Sequence, residues 1–526
     1  MSIVGRRLIP WAACVAAAVL TPQPQLDVQA QQPIPVTGMT TGINNRTGER
    51  PARWEVSALQ AEGGPQWDLY IQALAALQNK TETDELSHFR ISGIHGMPYA
   101  PFNGVGPVSG GSGGGFCPHG ETQFVAWHRP YVALYEQALG SEVQRIASEY
   151  GGHQNASAYR DAAQVFRLPY WDWASNPELP HSCAQENITI NGPRGSVTLH
   201  NPLYSYRWQT YPLNQSQFPG YQDFPAETTR ASDGKSNFNP DVVNANLALV
   251  ADQLKDLVYR TFTYAKSFDQ MSSVADPAGV SFEAPHNIIH NAVGGSFASV
   301  DITAFDSLFM LHHANLDRLV ALWMAVNFND TSQSQPYVSS GLYATARGER
   351  ITAASPLKPF FRADGQTFHT GLSAATLEPF GYTYLELREW DRGRGKQEVV
   401  SRINGLYGPA NDKGDEDLLA EQWSVRITVN RSELELPCNI DVYVADAFGG
   451  RMALLGMPMH GIAHAEIPLQ KIVSGATVNA KDMASLGLHL VATDVTHRSS
   501  LSEFPKYGNR SVYAKVALNG MLSDGG

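Results

Sequence analysis

His286 and His290 stand four residues apart in the run HNIIH, which contains no helix breaker. In a helix that spacing sends both imidazoles off one face, one turn apart, which is a metal-ligand spacing. A break at Gly294 and Gly295 follows, and then the run FDSLFMLHHANLDRLVALW from Phe305 to Trp323. This predicts a second helix with Asp306 as N-cap and Leu308, Leu311, Leu316, Leu319 and Leu322 as its apolar positions. His312 and His313 both fall inside it. Adjacent helix residues point about 100° apart, so only one of the pair can join His286 and His290 on a shared ion. The plain alternative is a set of hydrogen-bonded core histidines on packed helices.

A second histidine group lies upstream. Trp67, Leu69, Tyr70, Ala73, Leu74 and Leu77 have helical spacing, and His95 comes later, just before Gly96 and Pro98, at a helix end or in a loop. Gly104 to Gly120 has few helix or strand formers and predicts an irregular loop, with Cys117 two residues before His119. Pro130 suits a first helical position, so a long helix is expected from there, with Tyr131, Leu134, Tyr135 and Ala138 on one face and His128 at its mouth. Imidazole suits copper, zinc, iron and nickel alike. No Asp or Glu stands at a ligand spacing, which argues against a non-haem iron triad, and Asn287 after His286 rules out HExxH. Two all-histidine sites suit a copper pair.

The chain is long enough for one large or two unequal globular domains, at 526 residues with 43% hydrophobic and 17% charged. Residues 1–30 carry Arg6 and Arg7, an apolar run from Leu8 to Leu20 and the ending Val28-Gln29-Ala30, the pattern of a secretory signal. No later segment reaches 18 apolar residues, so no membrane partner is expected. N-x-S/T sequons at Asn45, Asn79, Asn155, Asn187, Asn214, Asn329, Asn430 and Asn509 fit passage through a glycosylating pathway to the outside of the cell. A net charge of -12 argues against a nucleic-acid partner or an anionic membrane. With Cys14 lost alongside the signal, three cysteines remain. If Cys117 has another fate beside His119, Cys183 and Cys438 are left able to pair.

Four segments are expected from the signal pattern, the helical and strand spacings and the family likeness set out below: the signal at 1–30, a mainly α domain over 31–387, a linker over 388–421 and an all-β sandwich over 422–526. Residues 176–239, rich in Pro, Asn, Gln and Ser, predict long surface loops, and a helix is expected from Val242 to Thr263. The charged, glycine-rich run from Arg388 to Glu421 predicts the linker. Beyond it, residues 423–429, 440–444 and 512–516 alternate with period two, the pattern of strands.

Cys117-x-His119, Trp127-His128-Arg129-Pro130-Tyr131, His286-x-x-x-His290 and Leu311-His312-His313-Ala314-Asn315-Leu316-Asp317-Arg318 together resemble the tyrosinase family, in its fungal secreted branch. The likeness runs from about Arg53 to Tyr384. It implies a four-helix bundle holding two copper ions, with dioxygen as co-substrate and a small phenol as substrate. Copper A would take His95, His119 and His128; copper B would take His286, His290 and His313, the second of the paired histidines, with His312 behind it. Two Cu(I) ions supply the two electrons that reduce dioxygen. The resemblance also implies a thioether between Cys117 and His119. Tyr382 and Tyr384, with Arg53 as partner, would close the domain.

Glu283 and Asn287 look like the family's water-holding pair for phenol deprotonation. Val300, thirteen residues before His313, stands where the family places a gate over copper B, and a small gate admits an aromatic ring. Ser307 replaces a usual proline after Asp306, which implies a less fixed helix start. The reaction implied is oxidation of o-diphenols, and of monophenols, to o-quinones. The alternatives are a catechol oxidase without hydroxylation and a haemocyanin-like oxygen carrier. In the fungal branch a C-terminal sandwich often covers the copper site. Phe448 to His464 is the stretch expected to protrude as the plug, carrying Phe448, Met452, Leu455, Met457 and Met459, with His460 and His464 beside them.

Overall fold

The computed structural model describes residues 32–111, 114–152, 154–388, 395–409, 423–444, 447–469, 488–495, 500–501, 512–518 and 521–522. The signal reading and most of the linker lie outside them. No helix among the described residues is long and apolar enough to cross a membrane.

The fold is a mainly α domain followed by antiparallel sheets. Helix α1, Gly64–Asn79, starts with a proline in its first turn and buries Trp67, Leu69, Tyr70, Leu74 and Leu77. It packs on α2, Phe124–Glu149, which packs in turn on α5, Leu308–Val326. Between them in sequence come α3, Pro240–Tyr264, and α4, Glu283–Val293, packed together. Every residue of α5 from Leu308 to Met324 is buried, its polar His312, His313, Asn315, Asp317 and Arg318 included. It is the central element of the domain.

Two helix starts differ from expectation. Helix α2 begins at Phe124 rather than Pro130, so His128 stands inside the helix. Pro130 lies inside the helix, where its ring removes the bond to the Ala126 carbonyl and crowds it, a cost of ~3 kcal/mol that burial of most of α2 outweighs. Helix α5 begins at Leu308 with Ser307 in the N-cap position. Asp306 still accepts from Leu308 N–H, and it pairs bidentately with Arg230 at 2.8 Å on each oxygen. The Ser307 hydroxyl accepts from Gln78 Nε2 of α1 at 2.8 Å, a tie that fixes the helix start without proline.

A buried ionic cluster closes the domain. Ala52–Arg53 pairs in parallel with Thr383–Tyr384. Arg53 bonds Glu136 at 2.8 Å, Arg129 bonds Asp317 at 2.6 Å, and both Tyr382 and Tyr384 donate to Asp317 at 2.6 Å. The Arg53 guanidinium lies 3.6 Å over the Tyr382 ring. Asp317 is four residues beyond His313 on α5, so this cluster sets how that histidine is presented. The structure brings Arg53, Tyr382 and Tyr384 together.

The C-terminal strands form two four-stranded sheets: β1, Trp423–Asn430; β2, Cys438–Val444; β3, Ala447–Leu454; β4, Ile462–Pro468; β5, Leu488–Asp494; β6, Ser500–Leu501; β7, Val512–Leu518; and β8, Met521–Leu522. Their orders are β3-β2-β5-β6 and β4-β1-β7-β8. Val425, Ile427 and Val429 alternate into a core shared with Ile440, Val442 and Leu454.

Four further expectations are corrected. Residues 176–239 hold a hairpin, Asn187–Gly192 with Gly195–His200, whose Ile188 and Ile190 point inward. Part of the expected linker is a helix, α6, Lys396–Tyr407, which buries Val399, Ile403 and Tyr407 in the core of the α domain. The expected plug is mostly strand: Phe448, Met452 and Leu454 belong to β3, which leaves a loop only over residues 455–461. No disulfide joins Cys183 to Cys438, because each is buried in a different hydrophobic core.

Candidate metal centre

Helix α4 carries His286 and His290 on one face, and α5 brings His313 against them. His286 Nε2 lies 3.2 Å from His313 Nε2 and 3.1 Å from His290 Nε2. Nitrogens holding one ion tetrahedrally at ~2.0 Å stand roughly 3.3 Å apart, so both separations from His286 have the spacing of a coordination site, and His290 and His313 lie within 4.8 Å of each other.

The far sides of the rings decide the tautomers. His290 Nδ1 donates to Phe297 carbonyl at 2.7 Å, and His286 Nδ1 to Asn287 Oδ1 at 2.8 Å. In the first group His128 Nδ1 donates to Phe124 carbonyl at 2.8 Å, and His95 Nδ1 to Val300 carbonyl at 3.1 Å. A ring whose proton is engaged at Nδ1 leaves a bare lone pair at Nε2, the arrangement of metal-ligating histidines. His95 Nε2 is accordingly buried without a protein partner.

His95, His119 and His128 converge with Cys117, their ligand atoms all within 4.8 Å of one another. The two groups touch, since the His128 and His313 rings stack at 4.2 Å and the centroids of His119 and His286 are 5.8 Å apart. Burial, followed by repulsion from neighbouring histidines, holds His95, His119, His286 and His313 far below the usual imidazole range. Burial takes His128 down to about 3 and His290 to about 4. All six are therefore neutral at ordinary pH, as metal ligands must be. Six neutral imidazoles in two touching trios fit two copper ions, one per trio.

His312 joins the second group, stacked on His286 at 4.8 Å, with both ring nitrogens buried and unpartnered among the described residues. Cys117 Sγ lies 3.2 Å from His119 Nδ1 and 3.8 Å from its Nε2, against the ring edge between them, and 3.3 Å from His128 Nε2.

The remaining expected residues have specific partners. Glu283 Oε1 accepts from Gly120 N–H at 2.7 Å; Oε2 accepts from Ser273 hydroxyl at 2.8 Å and Val274 N–H at 2.9 Å. It ties the loop bearing His119 to α4, and burial raises its pKa against the pull of those donors. Asn287 serves His286 through its side chain, and Val300 serves His95 of the first group through its carbonyl. The carbonyls of Phe124, Phe297 and Val300 escaped the sequence reading because every residue type has one.

The sandwich reaches this region through residues 455–461. A methyl group added to Gly120 would meet Pro458 at 3.2 Å, and Arg431 braces that loop through the carbonyls of Pro458 and Leu455, both at 2.6 Å. Strand β4 binds the loop after α3: His464 N–H donates to Val274 carbonyl at 2.7 Å and Glu466 N–H to Gly279 carbonyl at 3.0 Å. Met459 is 61% exposed, and His460 and His464 bond Ser432 and Thr428 instead of joining either histidine group.

A family profile described as the common central domain of tyrosinase matches residues 85–326. A tyrosinase of Podospora anserina is 34% identical over 408 residues, covering 71% of this chain and 69% of that protein. One from Neurospora crassa is 33% identical over 405 residues, covering 71% of this chain and 58% of its own length. Among solved structures, mushroom tyrosinase, described as crystallised with latent and active forms together, superposes with a TM-score of 0.80 at 22% identity, covering 93% of this chain and 96% of that one. An Aspergillus oryzae pro-tyrosinase gives a TM-score of 0.72 at 22% identity, covering 93% and 94%.

Proposed function

Because this chain belongs to the tyrosinase family of copper-dependent, phenol-oxidising enzymes, we propose that it converts o-diphenols, and monophenols after hydroxylation, to o-quinones with dioxygen. The observation that carries the proposal is the convergence of His286, His290 and His313 at 3.1 and 3.2 Å, against a second buried histidine trio. In this reading His95, His119 and His128 hold one copper, and His286, His290 and His313 the other. The bound pair supplies the two electrons that reduce dioxygen. The protein keeps the imidazoles neutral and aimed, and buries the site away from bulk water.

Glu283 is the proposed base for the phenol proton. A carboxylate offers about four acceptor sites, and three are taken by Gly120, Ser273 and Val274. The fourth can take a proton from a phenol or its water, and a pKa raised by burial makes it the better acceptor. One observation favours catechol oxidation alone: the Asn287 amide oxygen is engaged by His286 rather than turned toward Glu283. Small Val300 in the gate position supports an enzyme over an oxygen carrier.

Purified protein assayed on tyrosine and on a catechol, with copper quantified, tests the proposal. Glu283→Gln should lose more activity on the monophenol than on the catechol. Equal losses would remove Glu283 from hydroxylation, and absence of monophenol turnover in the parent would leave the catechol oxidase. Secretion, glycosylation at the sequons, the Cys117–His119 thioether and a sandwich that shields the site belong to the same proposal.

A further inference from the structure

The histidines assigned to different coppers depend on one short loop. Phe297 carbonyl accepts from His290 Nδ1 at 2.7 Å, and Thr303 hydroxyl donates to that same carbonyl at 2.8 Å. Three residues after Phe297, Val300 carbonyl accepts from His95 Nδ1 at 3.1 Å. One end of the loop therefore sets the tautomer of a second-group ligand and its middle sets that of a first-group ligand.

Asp301 is what fastens the loop's middle to the segment after His95. Its carbonyl accepts from Met97 N–H at 2.7 Å, and its carboxylate accepts from Tyr99 hydroxyl at 2.5 Å. The backbones are in close contact, since a methyl group at Gly96 would collide with the Asp301 carbonyl. Tyr99 has φ +52°, a left-handed conformation that an aromatic residue adopts only where its surroundings hold it. The Asp301 bond is such a hold. On the outer side Tyr221 and Ser299 hydroxyls meet at 2.5 Å. Among the described residues Asp301 has no ion-pair partner, so its carboxylate is directed to Tyr99 alone.

We propose that residues 297–303 brace both halves of the metal centre, and that Asp301, with Tyr99, is the positioning residue that keeps Val300 carbonyl on His95. The proposal rests on the ligand assignment above. If the brace is lost, the His95 proton is no longer held at Nδ1, and the Nε2-protonated tautomer cannot bind the metal. Removing such an outer partner weakens metal affinity by about 10- to 100-fold.

The test is copper retention by the full-length, copper-loaded protein against a graded Cu(I) chelator, without reference to turnover. The parent should hold two coppers. Asp301→Ala should release one at about 10- to 100-fold lower chelator strength while the other stays, because His290 keeps its bond to Phe297. Asp301→Asn, which retains an acceptor for Tyr99, should behave like the parent. If Asp301→Ala does not fold, Tyr99→Phe decides, since it removes one hydroxyl and should release the same copper early. Parent-like retention of both coppers in the folded variants overturns the brace. A parent that cannot hold two coppers overturns the ligand assignment instead.

Discussion

Tyr407 on helix α6 is the point where the supposed linker enters the catalytic core. Its hydroxyl donates to Asp172, 2.9 and 3.1 Å from the two carboxylate oxygens, and accepts from Arg318 at 2.8 Å. Burial pushes the hydroxyl far above its ordinary pKa, so it stays neutral and keeps donating. Tyr407→Phe keeps the ring, which stacks on Phe262 at 6.1 Å, and removes only these bonds. Each bond to a charged group contributes ~1.5–3 kcal/mol, and Arg318 and Asp172 still pair at 3.1 Å, which offsets part of the loss. The expected destabilisation is about 2–4 kcal/mol, read from the shift in urea midpoint at unchanged slope. Arg318 lies five residues beyond His313 on α5, so copper retention on mild heating should fall as well. A chain ending at Pro409 should match the parent catalytic domain, whereas one ending at Arg388 should melt earlier. A Tyr407→Phe midpoint within about 0.5 kcal/mol of the parent would refute the view that α6 belongs to this domain.

Two further outcomes follow from the geometry. Cleavage within residues 410–422 should raise turnover of a small catechol, because the 455–461 loop resting on Gly120 is then free to leave; unchanged turnover would make the sandwich only a stabilising partner. His88, bonded to Tyr135 and Phe305, is held by burial at about 4, below the ordinary 6.5. Its neutral form therefore stabilises the fold above pH ~6.5, and that contribution, about 3 kcal/mol, is lost as pH falls toward 4. His88→Gln should flatten this part of the acid-unfolding profile of the copper-free protein, and an unchanged slope would contradict it.

His286 and His290 were legible because helical period is written locally, and they share a face by spacing alone; the choice of His313 over His312, and the grouping of His95, His119 and His128, came from the family resemblance. Alternation likewise marked β1, β2 and β7. Helix α6 was hidden although Val399, Ile403 and Tyr407 keep a four-residue period, because flanking charge and glycine resemble a linker. The hairpin at 187–200 was hidden by its polar outer face, although Ile188 and Ile190 alternate around a Gly-Pro-Arg-Gly turn. Long-range partners carry no such local mark. That Glu283 ties Gly120 to Val274, or that Asp306 pairs with Arg230, depends on loops meeting across the fold.

Two coppers held by two histidine trios carry the proposed chemistry. Its most direct test is copper per chain in the parent and in His290→Ala, measured beside catechol turnover. Two coppers are expected in the parent, one in the variant, and no oxidation by the variant. Two coppers and full turnover in His290→Ala would contradict it.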